Sequence, residues 1–192
     1  MNSQFFTAPN QLTLLRFIFI PFIIICILGN NWRWALALFV LAGVSDGLDG
    51  LLARMLKQKT TLGQYLDPIA DKLLLSAMFL VLSTIHKIPW KYTVLVFSRD
   101  LCIVITAAVL YTVVSMRDFR PSVFGKANTF AQVAAIFFVL YYQINHRNWV
   151  FWTRRSLLWL TFALTLISGI HYIFITGQRL RQQQHAKSTS AR

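Results

Sequence analysis

Four aspartates lie between residues 46 and 71 of a chain that is otherwise apolar and basic. They make up most of the acidic residues, because the 192-residue chain has six aspartates and no glutamate. A carboxylate at the centre of a membrane helix costs roughly 2.5–3.5 kcal/mol on insertion scales, and neighbouring carboxylates repel each other. A bound divalent cation would offset both costs. Carboxylate oxygens without Cys or His suit Mg²⁺, Mn²⁺ or Ca²⁺, so the cluster predicts a hard-cation site at Asp46, Asp49, Asp67 and Asp71.

The residues around the aspartates add a second kind of chemistry. Offsets of three, four, seven and eight residues from Asp46 lie on one helix face, and they hold Asp49, Gly50, Ala53 and Arg54. Small residues there leave room for a ligand, and the arginine can hold a phosphate. Gly63 permits a close backbone approach before the second aspartate pair, four residues apart. The set predicts a nucleotide–metal site. The alternative is helix packing, with small residues at the contact and internal Asp–Arg pairs.

Apolar segments long enough to cross a bilayer recur along the chain. Hydrophobic residues make up 56% of the sequence and charged residues 13%, so we predict an all-α polytopic membrane protein. Its six transmembrane helices are expected at residues 12–28, 34–56, 68–85, 90–116, 124–143 and 157–176. We expect Pro21 to kink the first helix and Pro68 to begin the third. A helical hairpin would bring the two aspartate pairs together, which predicts an active site at the cytoplasmic ends of helices 2 and 3. Residues 1–176 would form the membrane domain and residues 177–192 a basic, disordered tail.

Charge suggests an orientation for this bundle. The net charge is +13, and nine basic residues fall on the side that holds both termini against six on the other. The positive-inside rule therefore favours cytoplasmic termini in the plasma (inner) membrane. Basic residues also attract anionic lipid, whereas their placement at helix ends gives no nucleic-acid surface. Cys26 and Cys102 lie in apolar runs and are expected to be buried hydrophobes rather than a disulfide or metal pair.

The aspartate stretch resembles the signature of the CDP-alcohol phosphatidyltransferases. The matching pattern is Asp46-x₂-Asp49-Gly50-x₂-Ala53-Arg54-x₈-Gly63-x₃-Asp67-x₃-Asp71, with all eight positions present. The resemblance implies that the four aspartates hold two divalent cations, Mg²⁺ or Mn²⁺, against the diphosphate of CDP-diacylglycerol. It further implies that Gly50, Ala53, Arg54 and Gly63 bind the CDP part. Asp71 would be the general base for the acceptor hydroxyl, and CMP would leave. The family often forms dimers, so a homodimer is expected.

Residues outside the signature bear on the acceptor. Asn10 and Thr13 in "APNQLTLLR" are similar to the opening of phosphatidylglycerophosphate and cardiolipin synthases, or else mark a helix start. Arg99 is either a buried partner of Asp100 or a group facing a polar cavity, and Lys126 either binds lipid phosphate or extends to the interface. Phosphatidylglycerophosphate synthases usually carry a second lysine where Asn128 stands. We therefore expect phosphatidylglycerol as acceptor, giving cardiolipin, with glycerol 3-phosphate as the alternative.

Two other classes of protein are alternatives to an enzyme. A cation transporter could use the aspartates as a pathway, but it would not need Gly50, Ala53 and Arg54 at those offsets, and the six segments show no inverted repeat. A lipid-binding protein without activity is the other class. The complete set of acids and the arginine argues against it.

Overall fold

The computed structural model describes the backbone of residues 8–55, 61–114 and 123–190, and the side chains of residues 17–45, 70–102 and 125–170. These residues form helices and no strand, which confirms the predicted all-α class. In chain order the helices are α1 (Ala8–Leu28), α2 (Trp32–Met55), α3 (Thr61–Thr84), α4 (Trp90–Val114), α5 (Val123–Ile144) and α6 (Asn148–Ser190).

Three short connections lie at the same end of the bundle, which we call the turn end. They join α1 to α2, α3 to α4 and α5 to α6. The first two connections have the same local geometry, because Asn30 and His86 both adopt a left-handed backbone, with φ of 58° and 59°. After α3, the Lys87 amide donates to the Leu82 carbonyl at 2.8 Å and the His86 amide to the Ser83 carbonyl at 3.0 Å. These bonds satisfy the last carbonyls of the helix.

The opposite end of the bundle is where α2 ends and α3 begins, and we call it the motif end. Because consecutive helices run in alternating directions, the second half of α2 and the first half of α3 both lead to this end. These halves carry the signature residues. α1 packs against α2 and α3, α2 packs against α5, and α6 packs against α4 and α5.

The helix contacts are apolar and closely packed. Ile23, Phe39, Met78, Phe79 and Ile136 belong to one buried cluster to which all six helices contribute. Buried alanines at helix contacts, such as Ala35, Ala42 and Ala135, let the backbones approach each other, as is usual in membrane bundles. The Thr93 hydroxyl reinforces the contact between α3 and α4 by donating to the Phe79 carbonyl at 3.2 Å.

The outer surface of the bundle is also apolar. Each of the six helices exposes large hydrophobic side chains, among them Ile18, Leu41, Leu80, Leu101, Phe130 and Ile170. Helices that are apolar on all sides suit a membrane or the core of a large protein. Within the described residues, Gly125–Ile144 is long and apolar enough to cross a bilayer by composition, and Phe17–Leu28 and Trp32–Ser45 are shorter apolar helical stretches.

Three predicted boundaries were wrong: the start of α3 and both ends of α6. Helix α3 begins at Thr61 rather than at Pro68, so the proline lies within the helix. Thr61 and Gln64 have the spacing of a capping box, which favours the earlier start. Helix α6 begins at Asn148 rather than at residue 157, and in place of a disordered tail it continues to Ser190. The tail is rich in Gln, Arg, Lys and Ala, which favour helix, and extending an existing helix needs no new nucleation.

Candidate active site

The backbone places the signature on two helices that meet the motif end. Asp46, Asp49, Gly50, Ala53 and Arg54 lie in the last three turns of α2, and Gly63 and Asp67 lie in the first two turns of α3. The helical backbone confirms that the first set shares one face of α2, since the offsets from Asp46 follow the helical period. Of the signature residues, Asp71 alone has a described side chain.

Asp71 lines a cavity enclosed by α2, α3 and α5. The cavity has a volume of about 480 Å³, and most of its walls are apolar, including Phe39, Leu74, Val133 and Phe137. Val44, two residues before Asp46, lines the same cavity. The structure therefore brings the α3 aspartate to the helix that carries the other aspartate pair. The arrangement combines a half-buried carboxylate with an apolar space wide enough for hydrocarbon chains.

The α2 wall of this cavity includes a residue without a side chain. A Cβ atom added at Gly43 would meet no other atom within 4 Å, because the position faces the open cavity. The space beside Gly43 is therefore available to a ligand.

On the other side of α5, a buried arginine joins α4 to α6. Arg99 is 8% exposed, and its Nη1 donates to Asp100 Oδ1 at 2.7 Å. Its Nη2 donates to Ser168 Oγ at 3.3 Å, and Lys72 Nζ lies 4.0 Å from the same Asp100 oxygen. A buried charge requires such partners. Arg99 was expected either to pair with Asp100 or to face a polar cavity, and the structure shows the buried pair.

Asn128 belongs to the same buried region. Its side chain is fully buried, and its Oδ1 accepts a 3.0 Å hydrogen bond from the Thr165 hydroxyl of α6. The Asn128 Nδ2, the Gln132 Nε2 and the Thr161 hydroxyl are buried without a hydrogen-bond partner among the described residues. Asn128 and Gln132 are one turn apart on α5, and Thr165 and Thr161 are one turn apart on α6. These four residues lie between α5 and α6, and we call them the polar strip.

Contacts between helices place Asp71, the buried Arg99–Asp100 pair and the polar strip at a similar depth in the bundle. Lys72 follows Asp71 and approaches Asp100, while Arg99 contacts Ser168, which is three residues from Thr165. Thr129, next to Asn128, lines the Asp71 cavity. Lys126 is exposed at the start of α5. The side chains of Asn10 and Thr13 lie outside the described residues, so their predicted part in acceptor binding stays a prediction.

The sequence prediction missed Lys72, Thr165 and Ser168. The two α6 residues carried a signal, because Thr161, Thr165 and Ser168 recur at spacings of four and three and therefore share one helix face. Polar residues repeated on one face of an apolar helix indicate an internal polar contact. Lys72 carried no such signal, since only the packing of α3 against α4 brings it near Asp100.

The donor set fits a divalent metal ion. Among the residues with described side chains, no three of the types His, Cys, Asp and Glu come together, and three of the four signature aspartates lie outside that part of the chain. The four aspartates offer carboxylate oxygens only, which hard cations prefer. The spacings of three and four residues place each pair on one face of its helix.

The chain is similar to known proteins over most of its length. The chain matches the CDP-alcohol phosphatidyltransferase family over residues 6–167. It is 29% identical to the CDP-diacylglycerol–glycerol-3-phosphate 3-phosphatidyltransferase of Bacillus subtilis, over 92% of this chain and 98% of that protein. The Escherichia coli K12 protein of the same name is 34% identical over 88% of this chain and 93% of its own length. The CMP-forming cardiolipin synthase of Rattus norvegicus is 41% identical over 55% of this chain and 34% of its own length.

The chain therefore belongs to the CDP-alcohol phosphatidyltransferase family. It is a transferase of phospholipid biosynthesis, acting on substituted phosphate groups. Members of the family use divalent metal ions. The family match covers the aspartate signature, the Asp71 cavity and the polar strip.

Proposed function

We propose that the protein is a CMP-forming cardiolipin synthase, which transfers a phosphatidyl group from CDP-diacylglycerol to a hydroxyl of phosphatidylglycerol. The acceptor oxygen forms a bond to the phosphorus that carries diacylglycerol. The bond from that phosphorus to the oxygen of the CMP phosphate breaks, and CMP leaves with the electron pair. The observation that carries this choice is Asn128, an uncharged side chain at the position where phosphatidylglycerophosphate synthases usually carry a second lysine.

Each signature residue has a proposed role. Asp46, Asp49, Asp67 and Asp71 hold two divalent cations, which supply positive charge that stabilises the diphosphate as CMP leaves. Gly50, Ala53 and Gly63 leave room for the cytidine and its phosphates, and Arg54 binds a phosphate. Asp71 accepts the proton of the acceptor hydroxyl, because its described side chain lines the cavity and a carboxylate within reach of a hydroxyl can act as its base.

The Asp71 cavity supports a lipid donor. Its walls are apolar, and burying hydrocarbon against such walls is favourable in proportion to the area removed from water. Asp71 supplies a polar group on the same cavity. A donor with two acyl chains and a charged diphosphate would have both kinds of surface to contact.

The charges near the polar strip support phosphatidylglycerol as acceptor. Arg99 and Lys72 approach one carboxylate, that of Asp100, so together these three groups carry one net positive charge. Asn128 adds none and already accepts the Thr165 hydroxyl. Lys126 is the remaining cation proposed to bind the acceptor. A phosphodiester carries one negative charge, whereas a phosphomonoester carries nearly two near neutral pH, and the smaller charge suits this smaller set of cations.

Glycerol 3-phosphate is the second candidate acceptor. The relatives from Bacillus subtilis and Escherichia coli, which match nearly the whole chain, carry its name. The enzyme would then be a phosphatidylglycerophosphate synthase, with the same donor, metal site and base. Only the acceptor and the residues that hold its phosphate would differ.

The same proposal includes a membrane arrangement. All six helices cross the membrane, with both termini and the motif end on the cytoplasmic side of the inner membrane. The apolar outer surface of every helix supports this placement. Donor and acceptor would both reach the site laterally from the bilayer. The proposal also includes a homodimer, because members of the family often form dimers.

Release of CMP by the purified protein tests the proposal directly. CDP-diacylglycerol and Mg²⁺ or Mn²⁺ would be supplied with phosphatidylglycerol in one reaction and with glycerol 3-phosphate in another. We expect metal-dependent CMP release with phosphatidylglycerol, and a loss of about a thousandfold in Asp67→Asn, because a metal clamp contributes several kcal/mol to the transition state. Asp118→Asn removes the same charge outside the signature and should retain activity. A preference for glycerol 3-phosphate would overturn cardiolipin synthase in favour of the second candidate.

A further inference from the structure

The turn end of the bundle carries positive charge without a carboxylate of its own. Six basic residues lie there, and none of the six aspartates of the sequence falls in residues 28–35, 84–95 or 143–160. The basic residues are Arg33, Lys87, Lys91, Arg147, Arg154 and Arg155. In the proposed orientation the turn end faces away from the cytoplasm, on the side where basic residues are normally depleted. The six basic residues there therefore indicate a negatively charged ligand.

Four of these cations line one groove. It lies between the starts of α4 and α6 and has a volume of about 260 Å³. Lys87 and Lys91 line it from one side, Arg154 and Arg155 from the other, and Tyr92 and Trp159 contribute aromatic rings. The groove is therefore lined by donors of positive charge and by apolar rings.

Aromatic rings hold the cations in position. Lys91 Nζ lies 5.1 Å from the ring centre of Tyr92 and 4.9 Å from that of Trp159. The Arg154 guanidinium carbon lies 4.4 Å from the ring centre of Tyr142 and 5.3 Å from that of Phe151. Cation–π contacts of this kind fix a cation but do not neutralise its charge. The N–H groups at the edge of a stacked guanidinium are still able to bind a phosphate.

Arg154 has an unsatisfied donor. Its Nε is buried and has no hydrogen-bond partner within the part of the chain whose side chains are described. Partial burial lowers the pKa of Arg154, and the nearby Tyr142 acts in the opposite direction. The pKa of a free arginine lies far above neutrality, so the guanidinium keeps its charge. An anion bound by the guanidinium would offset the cost of its partial burial.

The surroundings of the groove suit a lipid. Trp90, Trp149 and Trp152 are about half or more exposed at this end of the bundle, and exposed tryptophans mark the headgroup level of a bilayer. From Trp159 in the groove, the exposed apolar residues Leu166 and Ile170 continue along the same face of α6, because spacings of seven and four residues keep one helix face. Acyl chains could follow this face away from the groove.

We propose that the groove between α4 and α6 binds the phosphate of an anionic phospholipid in the leaflet opposite the aspartate motif. Lys91 and Arg154 hold the phosphate, and the face below Trp159 contacts the acyl chains. The proposal rests on the proposed membrane placement, but it does not depend on the acceptor of the reaction. It adds a lipid site that is separate from the active site.

Photolabelling of the full-length protein tests this site. The probe is phosphatidylglycerol with a diazirine at the start of one acyl chain, presented in neutral detergent with excess phosphatidylcholine, and adducts are mapped by peptide mass. We expect adducts in residues 149–170. The double variant Lys91→Gln/Arg154→Gln should lose labelling there about thirtyfold, since each basic residue near an anionic lipid contributes a factor of about five.

Matched variants and probes make the result decisive. Arg33→Gln/Arg147→Gln removes the same charge from exposed positions at the same end and should label like the parent protein. Lys91→Arg/Arg154→Lys keeps both charges and should retain most labelling even if uncharged glutamines disturb packing. Equal losses in the two glutamine variants, equal labelling by a phosphatidylcholine probe, or displacement by millimolar inorganic phosphate would overturn the lipid site. Release of CMP by the same preparations tests the proposed function separately.

Discussion

Helix α5 separates two regions that lie at the same depth but have opposite character. On one face, Thr129, Val133 and Phe137 border the cavity of about 480 Å³ that also contains Asp71. On the other, Asn128 and Gln132 pack against α6 in the polar strip, and both are buried. The first region is open and apolar around a carboxylate, whereas the second is closed and rich in hydrogen-bonding groups.

This difference in polarity indicates that the two faces of α5 have different roles. A cavity whose walls are mostly apolar can exchange one hydrocarbon ligand for another. Opening the polar strip would break the buried hydrogen bond from Thr165 to Asn128, which costs stability. We therefore expect changes on the cavity side to alter catalysis and donor binding, and changes in the polar strip to alter stability. Three substitutions sharpen this comparison.

The largest effect is expected for Asp71→Asn. The amide cannot accept the proton of the acceptor hydroxyl, so kcat should fall by about 10²–10⁴, the usual contribution of a general base. Asp46, Asp49 and Asp67 remain as proposed metal ligands and the side chain keeps its size, so the affinity for CDP-diacylglycerol with metal should fall much less than kcat. Steady-state CMP release gives kcat, and equilibrium binding gives the affinity for the donor. Full turnover by the variant would remove Asp71 from the role of base.

An intermediate effect is expected for Gly43→Leu. The new side chain points into open space and occupies part of the Asp71 cavity, so the protein should fold normally. The KM for CDP-diacylglycerol should rise by about tenfold, because the lost hydrocarbon contacts correspond to roughly one or two buried methylene groups. The kcat should change little.

Gly169→Leu is a matched control for this change. Position 169 in α6 also has no atom within 4 Å of an added Cβ, and it does not line the Asp71 cavity. Its KM should equal that of the parent protein. If both leucine variants raised KM alike, the cavity would lose its assignment to the donor.

The smallest effect is expected for Thr165→Val in the polar strip. Valine keeps the shape but removes the hydroxyl that donates to Asn128 Oδ1, leaving a buried acceptor unpaired. The free energy of unfolding should fall by about 1 kcal/mol, in the range found for hydrogen bonds in membrane bundles. Reversible unfolding in mixed detergent micelles measures this change.

Thr161→Val provides the comparison one turn away on the same helix. The Thr161 hydroxyl is buried without a partner among the described residues, so its removal should leave stability unchanged or raise it. An equal loss in both valine variants would mean that shape, rather than the Asn128 bond, accounts for the result. It would also weaken the contrast between the two faces of α5.

Helix positions were largely predictable, because long apolar segments bounded by polar residues have few alternatives to helix. The predicted start of α4 at Trp90 matches the structure, and α2 and α5 agree within two residues at each end. The start of α3 and both ends of α6 were less predictable. A proline normally marks the first turn of a helix, and it gave no reason to extend α3 back to Thr61. The polar residues of the tail likewise hid its helical propensity.

The candidate site divides in a similar way. The signature could be read from residue types and spacing, since metal and phosphate chemistry require carboxylates, an arginine and small residues on shared helix faces. The hydrogen-bond partners of the buried polar residues could not be read from the sequence. Arg99 could be predicted to pair with Asp100, its neighbour in sequence, but its bond to Ser168 spans 69 residues. A contact over that distance depends on which helices pack together.

The sequence by itself determined the helical class, the family and the chemistry of the aspartate signature, because these follow from local periodicity and from residue types at fixed spacing. The tertiary structure decided which faces meet. Packing of α2, α3 and α5 enclosed a cavity around Asp71, and packing of α4 against α6 placed four cations in one groove at the turn end. Apolar helix faces are chemically alike, so hydropathy alone cannot select their partners. Shape complementarity and the few buried hydrogen bonds between helices make that selection.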